Sequence, residues 1–442
     1  MQILPSNLLP EHFEWGCATS SFQIEGGADD RLPSIWDDFC AQPNRIRDGS
    51  NGLVACDHIH RYEADIRLLA GLGFKHYRFS IAWTRVVSEK NTLNSAGLDF
   101  YKRLLDVLDQ YGITPNATLF HWDLPSRLDG GWLQRDTAYR FADYAHLMAQ
   151  HLGDRLPRVA TLNEPWCSAF LGYDLGVFAP GVQNREAALS AAHHLLLAHG
   201  LGVQAWRSEH ADASVGIVLN PELCDPASAD PADVHAACMA EYERNECFLN
   251  PLFGREWPPE LLAQMGSRSA DRWAGDAEIC AQPLDFIGFN YYTRSFAQAP
   301  RAAEDATRGY SFVPPAAGKS LTDLGWEIYP EGLKRVIQNL CQKWPLPPIW
   351  ITENGAADNT PVVEGACNDE MRCRYLQLHL EKLSEAITHG ADIRGYYVWS
   401  LLDNFEWAHG YSQRFGIVHV DFETQERTYK KSALMLQALL RG

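Results

Sequence analysis

Two carboxylates that each follow a short apolar segment are the residues of this sequence best suited to chemistry. Residues 349–351 are Ile, Trp and Ile, and they lead to Glu353, with Gly355 in the turn that follows. Residues 159–162 lead in the same way to Glu164, after which a proline ends the segment. An unpaired carboxylate at the end of a buried strand is costly, so we expect a site to be arranged around each. The two glutamates are far apart in the chain, so only the fold can bring them together.

A pair of carboxylates that meet across an aromatic-lined cleft can cleave a glycosidic bond. One of them protonates the leaving oxygen, and the other either attacks the anomeric carbon or activates a water molecule. The competing interpretation is structural, with Glu164 and Glu353 simply paired with arginines. Arg78 is compatible with both, because a nearby cation keeps a carboxylate ionised.

Most of the other apolar segments also run into polar or aromatic side chains. These are Gln23, Arg78, His121, Trp122, Asn163, Asn290, Tyr292 and Trp399. A single residue of this kind is more often a turn or core residue, but so many together predict one shared site at the mouth of a barrel. Asn290 and Tyr292 are two positions apart at a strand end and so share a face, which favours Tyr292 over Tyr291 for orienting a nucleophile.

Eight short apolar segments alternate with amphipathic helical patterns, and this rhythm predicts the elements that position the site. The strands are predicted at 13–20, 74–81, 113–120, 158–162, 214–219, 284–289, 349–353 and 393–400. The helices are predicted at 57–72, 98–111, 137–152, 187–209, 228–248, 330–343, 371–388 and 428–440. We expect Asp57 to cap the first of these helices and Gly73 to end it.

The alternation predicts an α/β fold, a single (β/α)8 TIM barrel with extended loops at the C-terminal face of its strands. It also predicts that residues 1–442 form one catalytic domain. A doubly wound sheet is the alternative, but it would need a glycine-rich phosphate loop after its first strand, and Gly26 and Gly27 do not fit that pattern.

Composition excludes several classes of function. The net charge of −18 argues against a nucleic-acid partner, which would need a basic face. The eleven cysteines show no zinc spacing, and they favour a reduced, cytoplasmic setting. Residues 1–5 lack the basic start of a signal peptide, and no run of about 20 apolar residues could span a membrane. The fourteen tryptophans fit a large core or a sugar-binding cleft, and a homo-oligomer remains open.

The two glutamate segments resemble the signature motifs of glycoside hydrolase family 1, the β-glucosidase family. These segments are TLNEP at residues 161–165 and ITENG at residues 351–355. The resemblance extends over nearly the whole chain. It includes FEWG at 13–16, QIEG at 23–26, RFSIAW at 78–83, FHWD at 120–123, FIGFNYY at 286–292, WSLLDNFEW at 399–407, FG at 415–416 and DF at 421–422. Thr84 and His409 depart from the common pattern.

The resemblance implies a retaining double displacement without metal or cofactor, in which Glu164 is the acid and base and Glu353 the nucleophile. It implies that a set of polar and aromatic side chains binds the substrate while Arg78 supports the site. The binding set is Gln23, His121, Trp122, Asn163, Asn290, Tyr292, Trp326, Trp399, Glu406, Trp407 and Phe415. Cys167, Phe170, Tyr173 and residues 294–326 are expected to lie where the leaving group binds.

The expected substrates are small β-O-glycosides and short oligosaccharides with a terminal, non-reducing β-D-glucosyl residue, with galactosyl and fucosyl residues left open. Glu406 would repel a phosphate, which argues against 6-phosphorylated sugars. Relatives that cleave thioglucosides carry glutamine in place of the acid, whereas Glu164 is present here. The alternatives are a transglycosylating β-glycosidase and an inactive sugar-binding barrel, although the latter would be expected to lose a carboxylate.

Overall fold

A ring of eight parallel strands forms the centre of the molecule in the computed structural model, which describes residues 9–302 and 305–441. The strands are β1 (Glu14–Ala18), β2 (His76–Ser80), β3 (Thr114–Phe120), β4 (Arg158–Asn163), β5 (Ser214–Leu219), β6 (Phe286–Asn290), β7 (Ile349–Asn354) and β8 (Ile393–Trp399). Each strand pairs with its neighbours in chain order, and β1 pairs in parallel with β8, which closes the ring. The predicted (β/α)8 barrel is confirmed, and ring closure excludes the doubly wound sheet, which has two free edges.

Long helices surround the ring, and most of them occupy the predicted segments. They are His58–Leu72, Ser95–Tyr111, Arg135–Leu152, Arg185–Glu209, Pro330–Lys343, Glu370–Thr388 and Lys431–Arg441. Each turns one apolar face inward, as the helix Ser95–Tyr111 does with Leu98, Tyr101, Leu105 and Leu108. Packing of these faces on the strands therefore fixes the directions in which the strand ends point.

Two local predictions differ from the structure. Residues 228–248 are not one helix, because Pro231–Glu241 passes through the π-helical turn Tyr242–Glu246 into a further short helix, Cys247–Leu252. Asp57 stands at the N-cap position but has left-handed backbone, and its carboxylate bonds His60 and Arg61 instead of a backbone amide. Gly73 ends that helix in the left-handed conformation, as predicted.

The extended loops lie after the strands and carry small sheets of their own. Cys224–Pro226, Ser295–Gln298 and Ser311–Val313 form a three-stranded sheet beside the loop that follows β6. Val418–Val420 pairs with Arg427–Tyr429 after β8. These small sheets lie around the C-terminal ends of the barrel strands, where the candidate residues are predicted.

The N-terminal end of the barrel is filled by a charged and aromatic cluster. Arg158 bonds both carboxylate oxygens of Glu14, at 2.7 and 2.9 Å, and lies 3.9 Å over the Trp350 ring. The indole nitrogen of Trp350 donates to Glu14 at 2.8 Å. With this end filled, the opposite end of the barrel is the one that opens into a cavity.

Some predictions concern parts or properties that the structure does not test. Residues 1–5, the basis of the signal-peptide prediction, lie outside the described residues. The organisation of residues 1–442 as one catalytic domain stays a prediction. Within the described residues, no helix is long and apolar enough to cross a membrane.

Candidate active site

A cavity of about 450 Å³ opens at the C-terminal ends of the strands, and eleven of the residues predicted to form the site line it. These are His121, Trp122, Glu164, Asn290, Tyr292, Trp326, Glu353, Trp399, Glu406, Trp407 and Phe415. The larger cavity of about 890 Å³ lies between residues 29–32 and 84–103 and contains none of them. Gln23, Arg78 and Asn163 do not line the 450 Å³ cavity but lie directly behind its wall, in contact with the side chains that do.

Glu353 is held at both carboxylate oxygens. The register of β7 shifts at this point, so that Glu353 pairs with Asn290 of β6. Arg78 donates to Oε1 at 2.6 Å and Tyr292 donates its hydroxyl to Oε2 at 2.6 Å. The Tyr291 hydroxyl instead donates to the carbonyl of Tyr329, outside the cavity. As predicted from strand periodicity, Tyr292 is therefore the tyrosine that faces Glu353.

Glu164 directly follows β4 and has a different set of partners. Its φ of 45° turns the chain from the strand into the helical segment that follows. Asn290 donates its amide to Oε1 at 2.6 Å, and the Cys167 thiol contacts Oε2 at 3.0 Å. In the part of the chain that the structure describes, no arginine or lysine forms a salt bridge with this carboxylate.

Asn163 and Asn290 link the two carboxylates through one set of hydrogen bonds. The side-chain oxygen of Asn163 accepts from Arg78 at 2.6 Å and from Asn290 at 3.1 Å. Arg78 also bonds Glu353, and Asn290 also bonds Glu164, so a continuous path of side chains joins the pair. The fold has thus brought two glutamates that are distant in the chain to the lining of one cavity.

The environments of the two carboxylates decide which of them holds a proton. Burial and the negative charge of Glu353 raise the pKa of Glu164 to about 7. Burial also raises the pKa of Glu353, but Arg78 and Tyr292 oppose that rise by stabilising its ionised form. The partners of Glu353 thus favour its ionised form, whereas burial and like charge favour the protonated form of Glu164.

A third carboxylate lies deeper among aromatic rings. Gln23 donates its amide to Glu406 at 3.3 Å and also to Asn404 and the carbonyl of Phe405. Burial, followed by the charges of Glu353 and Glu164, raises the pKa of Glu406 to about 8. Each of the three carboxyl groups in this space therefore disfavours the ionised form of the others.

His121 is a neutral side chain placed between two indole rings. Its ring stacks on Trp399 and Trp407, with centroids 5.8 and 6.0 Å apart. Burial and the nearby Arg78 charge lower its pKa well below the usual value. Nε2 contacts Asn163, while Nδ1 has no hydrogen-bond partner within the ranges 9–302 and 305–441. Because the Asn163 amide nitrogen can only donate, Nε2 accepts that hydrogen bond and the neutral ring carries its hydrogen on Nδ1.

Backbone in sparsely populated conformations is concentrated at the cavity. Trp122, Glu164 and Trp407 all line it and have φ values of 79°, 45° and 50°. Bulky residues seldom adopt this left-handed region, and it persists where the surrounding structure holds it in place. The Trp399–Ser400 peptide bond is cis. The local backbone is thus shaped to present particular side chains to the cavity.

The outer wall of the cavity contains residues that sequence reasoning missed. They are Trp166, Leu171, Leu175, Phe178, Asn220, Pro221, Glu222 and Arg244. Asn220 directly follows β5, so the strand-end argument could have identified it. Arg244 lies in the π-helical turn, where no periodic pattern marks it, and it is paired with Glu222 at 2.7 Å.

Of the residues expected around the leaving group, Cys167 and parts of 294–326 line the cavity, but Phe170 and Tyr173 do not. Phe170 packs against Trp166 and Phe248 in the core. The Tyr173 hydroxyl accepts from the backbone amide of Trp132. That part of the prediction is wrong because the segment after Cys167 is helical and turns these two rings away from the cavity. In the described residues, no three His, Cys, Asp or Glu side chains converge as metal ligands.

A closed parallel barrel whose mouth holds two buried glutamates with different partners among aromatic rings is typical of a glycoside-cleaving barrel enzyme. The sequence model of "Glycosyl hydrolase family 1" matches residues 5–442. The chain belongs to this family and is a glycoside hydrolase.

Individual relatives match over almost their entire lengths. A "Beta-glucosidase" from Agrobacterium sp. is 46% identical, with 98% of this chain and 95% of the relative covered. A "Bifunctional beta-D-glucosidase/beta-D-fucosidase" from Bifidobacterium breve is 42% identical, with 96% of each chain covered. Among solved structures, the virulence factor SghA in complex with its substrate analog salicin has a TM-score of 0.94 at 45% identity, covering 98% of this chain and 96% of that one.

Proposed function

We propose that this enzyme is a retaining β-glucosidase that removes terminal, non-reducing β-D-glucosyl residues from small β-O-glycosides. The observation that carries the proposal is the contrast between the two carboxylates. Glu353 is bonded by Arg78 and Tyr292 and is suited to attack as an anion, whereas Glu164 is suited to donate a proton near pH 7. This division of roles is what a double displacement requires.

In the first half of the proposed reaction, a Glu353 carboxylate oxygen attacks the anomeric carbon and forms a glycosyl ester. The bond from that carbon to the glycosidic oxygen breaks, and Glu164 transfers its proton to the departing oxygen. Arg78 and Tyr292 hold Glu353 in position before attack. The negative charge of Glu353 is consumed as the ester forms.

In the second half, Glu164 acts as a base. Loss of the charge on Glu353 removes a cause of the raised pKa of Glu164, so Glu164 becomes the stronger acid and is ionised. It then takes a proton from water as the water oxygen attacks the anomeric carbon, which releases the sugar and regenerates the Glu353 carboxylate. Transfer of the sugar to an alcohol would proceed from the same intermediate.

The deep part of the cavity supports the proposal of an unphosphorylated sugar. Glu406 lines the cavity and is held from behind by the Gln23 amide, so it presents a carboxyl group that suits neutral hydroxyls. A phosphate bound here would lie beside Glu406. Among the described residues, no lysine or arginine forms a salt bridge with Glu406 that would offset the repulsion between the two groups. The flat rings of Trp399 and Trp407 can cover an apolar sugar face.

Relatives support the glucosyl preference and suggest its breadth. Two of them are named β-glucosidases, one of which is also named a β-D-fucosidase, and salicin is named as a substrate analog of a third. We therefore propose that this enzyme accepts β-D-fucosides, which lack the hydroxyl at carbon 6, in addition to β-D-glucosides. Galactosides belong in the same assay panel.

The location and organisation of the chain are part of the proposal. We propose a cytoplasmic enzyme, because all eleven cysteines are free thiols, as reducing compartments maintain them. We also propose a single catalytic domain, because one hydrophobic cluster includes residues from Cys17 to Leu436.

The function is tested with nitrophenyl β-glycosides and carboxyl-to-amide variants. Glu164→Gln and Glu353→Gln should each lower turnover of the glucoside by at least about 10²-fold, because each removes a general acid–base group or nucleophile. Glu381→Gln, on the helix Glu370–Thr388 away from the cavity, is the matched control and should retain full activity.

Rescue by external azide distinguishes the nucleophile from the acid and base. With Glu353→Gly it should restore cleavage and give the α-glucosyl azide, whereas with Glu164→Ala it should give the β-glucosyl azide. Wild-type turnover in either glutamine variant would contradict the proposed function.

A further inference from the structure

Cys167 contacts the carboxylate of Glu164, the proposed acid and base, and the proposed reaction gives it no role. It begins the π-helical turn Cys167–Leu171, three residues after Glu164, and its backbone amide donates to the Glu164 carbonyl at 2.9 Å. Its sulfur lies 3.0 Å from Oε2 of Glu164, and its side chain lines the cavity. Helical turns of this type frequently occur at functional sites.

The two oxygens of Glu164 are not equivalent. Oε1 faces the amide nitrogen of Asn290 at 2.6 Å, and an amide NH₂ group can only donate hydrogen bonds. Accepting this hydrogen bond favours Oε1 as the unprotonated oxygen, because the protonated oxygen of a carboxyl group is the weaker acceptor. The proton belongs on Oε2, which is the oxygen that the Cys167 sulfur contacts.

A thiol suits this position because it is both a weak donor and a weak acceptor. It can donate to Oε2 when Glu164 is ionised and accept or turn away when Oε2 is protonated. Asn220 approaches the sulfur with its amide at 3.5 Å, from a group that can only donate, so the thiol hydrogen remains directed to Glu164. Burial, followed by the nearby Glu164 charge, raises the thiol pKa well above its usual value, so this hydrogen is present at neutral pH.

We propose that Cys167 is a positioning residue for the acid and base: its neutral thiol donates a hydrogen bond to Oε2 of Glu164 and so favours the ionised form that activates water. The inference rests on the proposed function of Glu164. The thiol forms no covalent bond in this role, and no electron transfer is involved.

The test compares the pH profiles of three variants with that of the wild type. Cys167→Val and Cys167→Ala remove the donor, and Cys167→Ser keeps one. The basic limb of the kcat/KM profile for a nitrophenyl β-glucoside reports the pKa of the acid in the free enzyme. Loss of the donor should raise the pKa of Glu164 and move this limb to higher pH by about half to one unit. This is the size expected for one modest hydrogen bond to a carboxylate.

Cys167→Ser should leave the basic limb at or below the wild-type position, because a hydroxyl is the stronger donor. Cys373→Val, a buried cysteine on the helix Glu370–Thr388, is the control for loss of a thiol and should leave the profile unchanged. If valine does not fit and the variant is unfolded by circular dichroism, the alanine variant decides the comparison.

Two results would overturn the inference. In one, the basic limbs of the valine and alanine variants coincide with that of the wild type. In the other, the serine variant shifts as far as they do, which would mean that only packing matters. Failure of the proposed function is a separate result, because Glu164→Gln would then remain active whatever the Cys167 variants show.

Discussion

At the level of single residues, the two central carboxylates share burial and differ in partners. Glu353 accepts hydrogen bonds from the guanidinium of Arg78 and the phenol of Tyr292. Glu164 accepts from the amide of Asn290 and is contacted by the thiol of Cys167. Hydrogen bonds to the charged form lower a carboxyl pKa, whereas burial and like charge raise it. The assignment of acid and nucleophile therefore depends on these four contacts rather than on the glutamates alone.

Tyr292→Phe should reveal what the phenol contributes. Removing a donor from Glu353 leaves its ionised form less stable, so the pKa of that carboxyl should rise and the acidic limb of the kcat/KM profile should move to higher pH. We expect kcat/KM near neutral pH to fall about 10- to 100-fold, the effect of losing one hydrogen bond to a charged group. Steady-state kinetics across pH measures both effects.

Tyr291→Phe is the matched control for that experiment. Its hydroxyl bonds the Tyr329 carbonyl and not Glu353, so the loss should cost about 1 kcal/mol of stability and leave the acidic limb in place. If Tyr291→Phe moved the acidic limb and Tyr292→Phe did not, the account of Glu353 would be wrong.

Sequence reasoning reached some of these contacts and not others. A period of two along a strand was enough to choose Tyr292 over Tyr291. The contact between Gln23 and Glu406 joins segments far apart in the chain: the strand-end argument reached Gln23, whereas Glu406 was expected only from the family resemblance. The thiol contact to Glu164 requires a π-helical turn, for which no sequence pattern was available.

At the level of elements, the strand ends are held in place by close backbone packing as well as by side chains. Gly355 follows β7, and a Cβ atom added there would lie 1.9 Å from the carbonyl oxygen of Trp399 at the end of β8. The backbones of the segment carrying Glu353 and of the strand ending in Trp399 are thus in direct contact. Gly355 allows this close approach because glycine has no Cβ atom.

Gly355→Ala should therefore damage the site without removing any functional group. The added Cβ atom would clash with backbone, which cannot move aside as a flexible side chain can. We therefore expect Glu353 and Trp399 to be displaced. The expected result is a loss of about 1–3 kcal/mol in stability and at least a tenfold lower kcat/KM. Thermal unfolding and steady-state kinetics measure the two effects.

Gly71→Ala is the control, because a Cβ atom there meets only the Tyr429 hydroxyl, at 3.2 Å, far from the cavity. Its kcat/KM should equal that of the wild type. An active, stable Gly355→Ala variant would show that the close contact is not needed.

The barrel strands were predictable because each is a short apolar segment between turn signals. All eight predicted strands overlap those observed, with boundaries that differ by a few residues. The form of the segment 228–248 could not be predicted in this way. Asn245 bonds the backbone of Glu222, and the helix changes to a π-helical turn there. Tertiary contacts of this kind override local periodicity.

At the level of the whole molecule, ring closure is what converts two local motifs into one site. The contact between β1 and β8 places all eight strand ends around one opening, and the loops after them enclose a cavity of about 450 Å³. The opposite end is closed by Glu14, Arg158 and Trp350. Length and composition predicted a large globular protein, but the depth of the cavity and its outer wall depend on loop conformations that the sequence does not specify by pattern.

The central claim is that Glu353 attacks the sugar directly while Glu164 moves the proton. The most direct test follows the anomeric proton of the product by NMR during rapid hydrolysis of a nitrophenyl β-D-glucoside, before mutarotation. Two displacements at one carbon predict that β-glucose appears first. First appearance of α-glucose would mean that water attacks in a single displacement, and it would contradict the role given to Glu353.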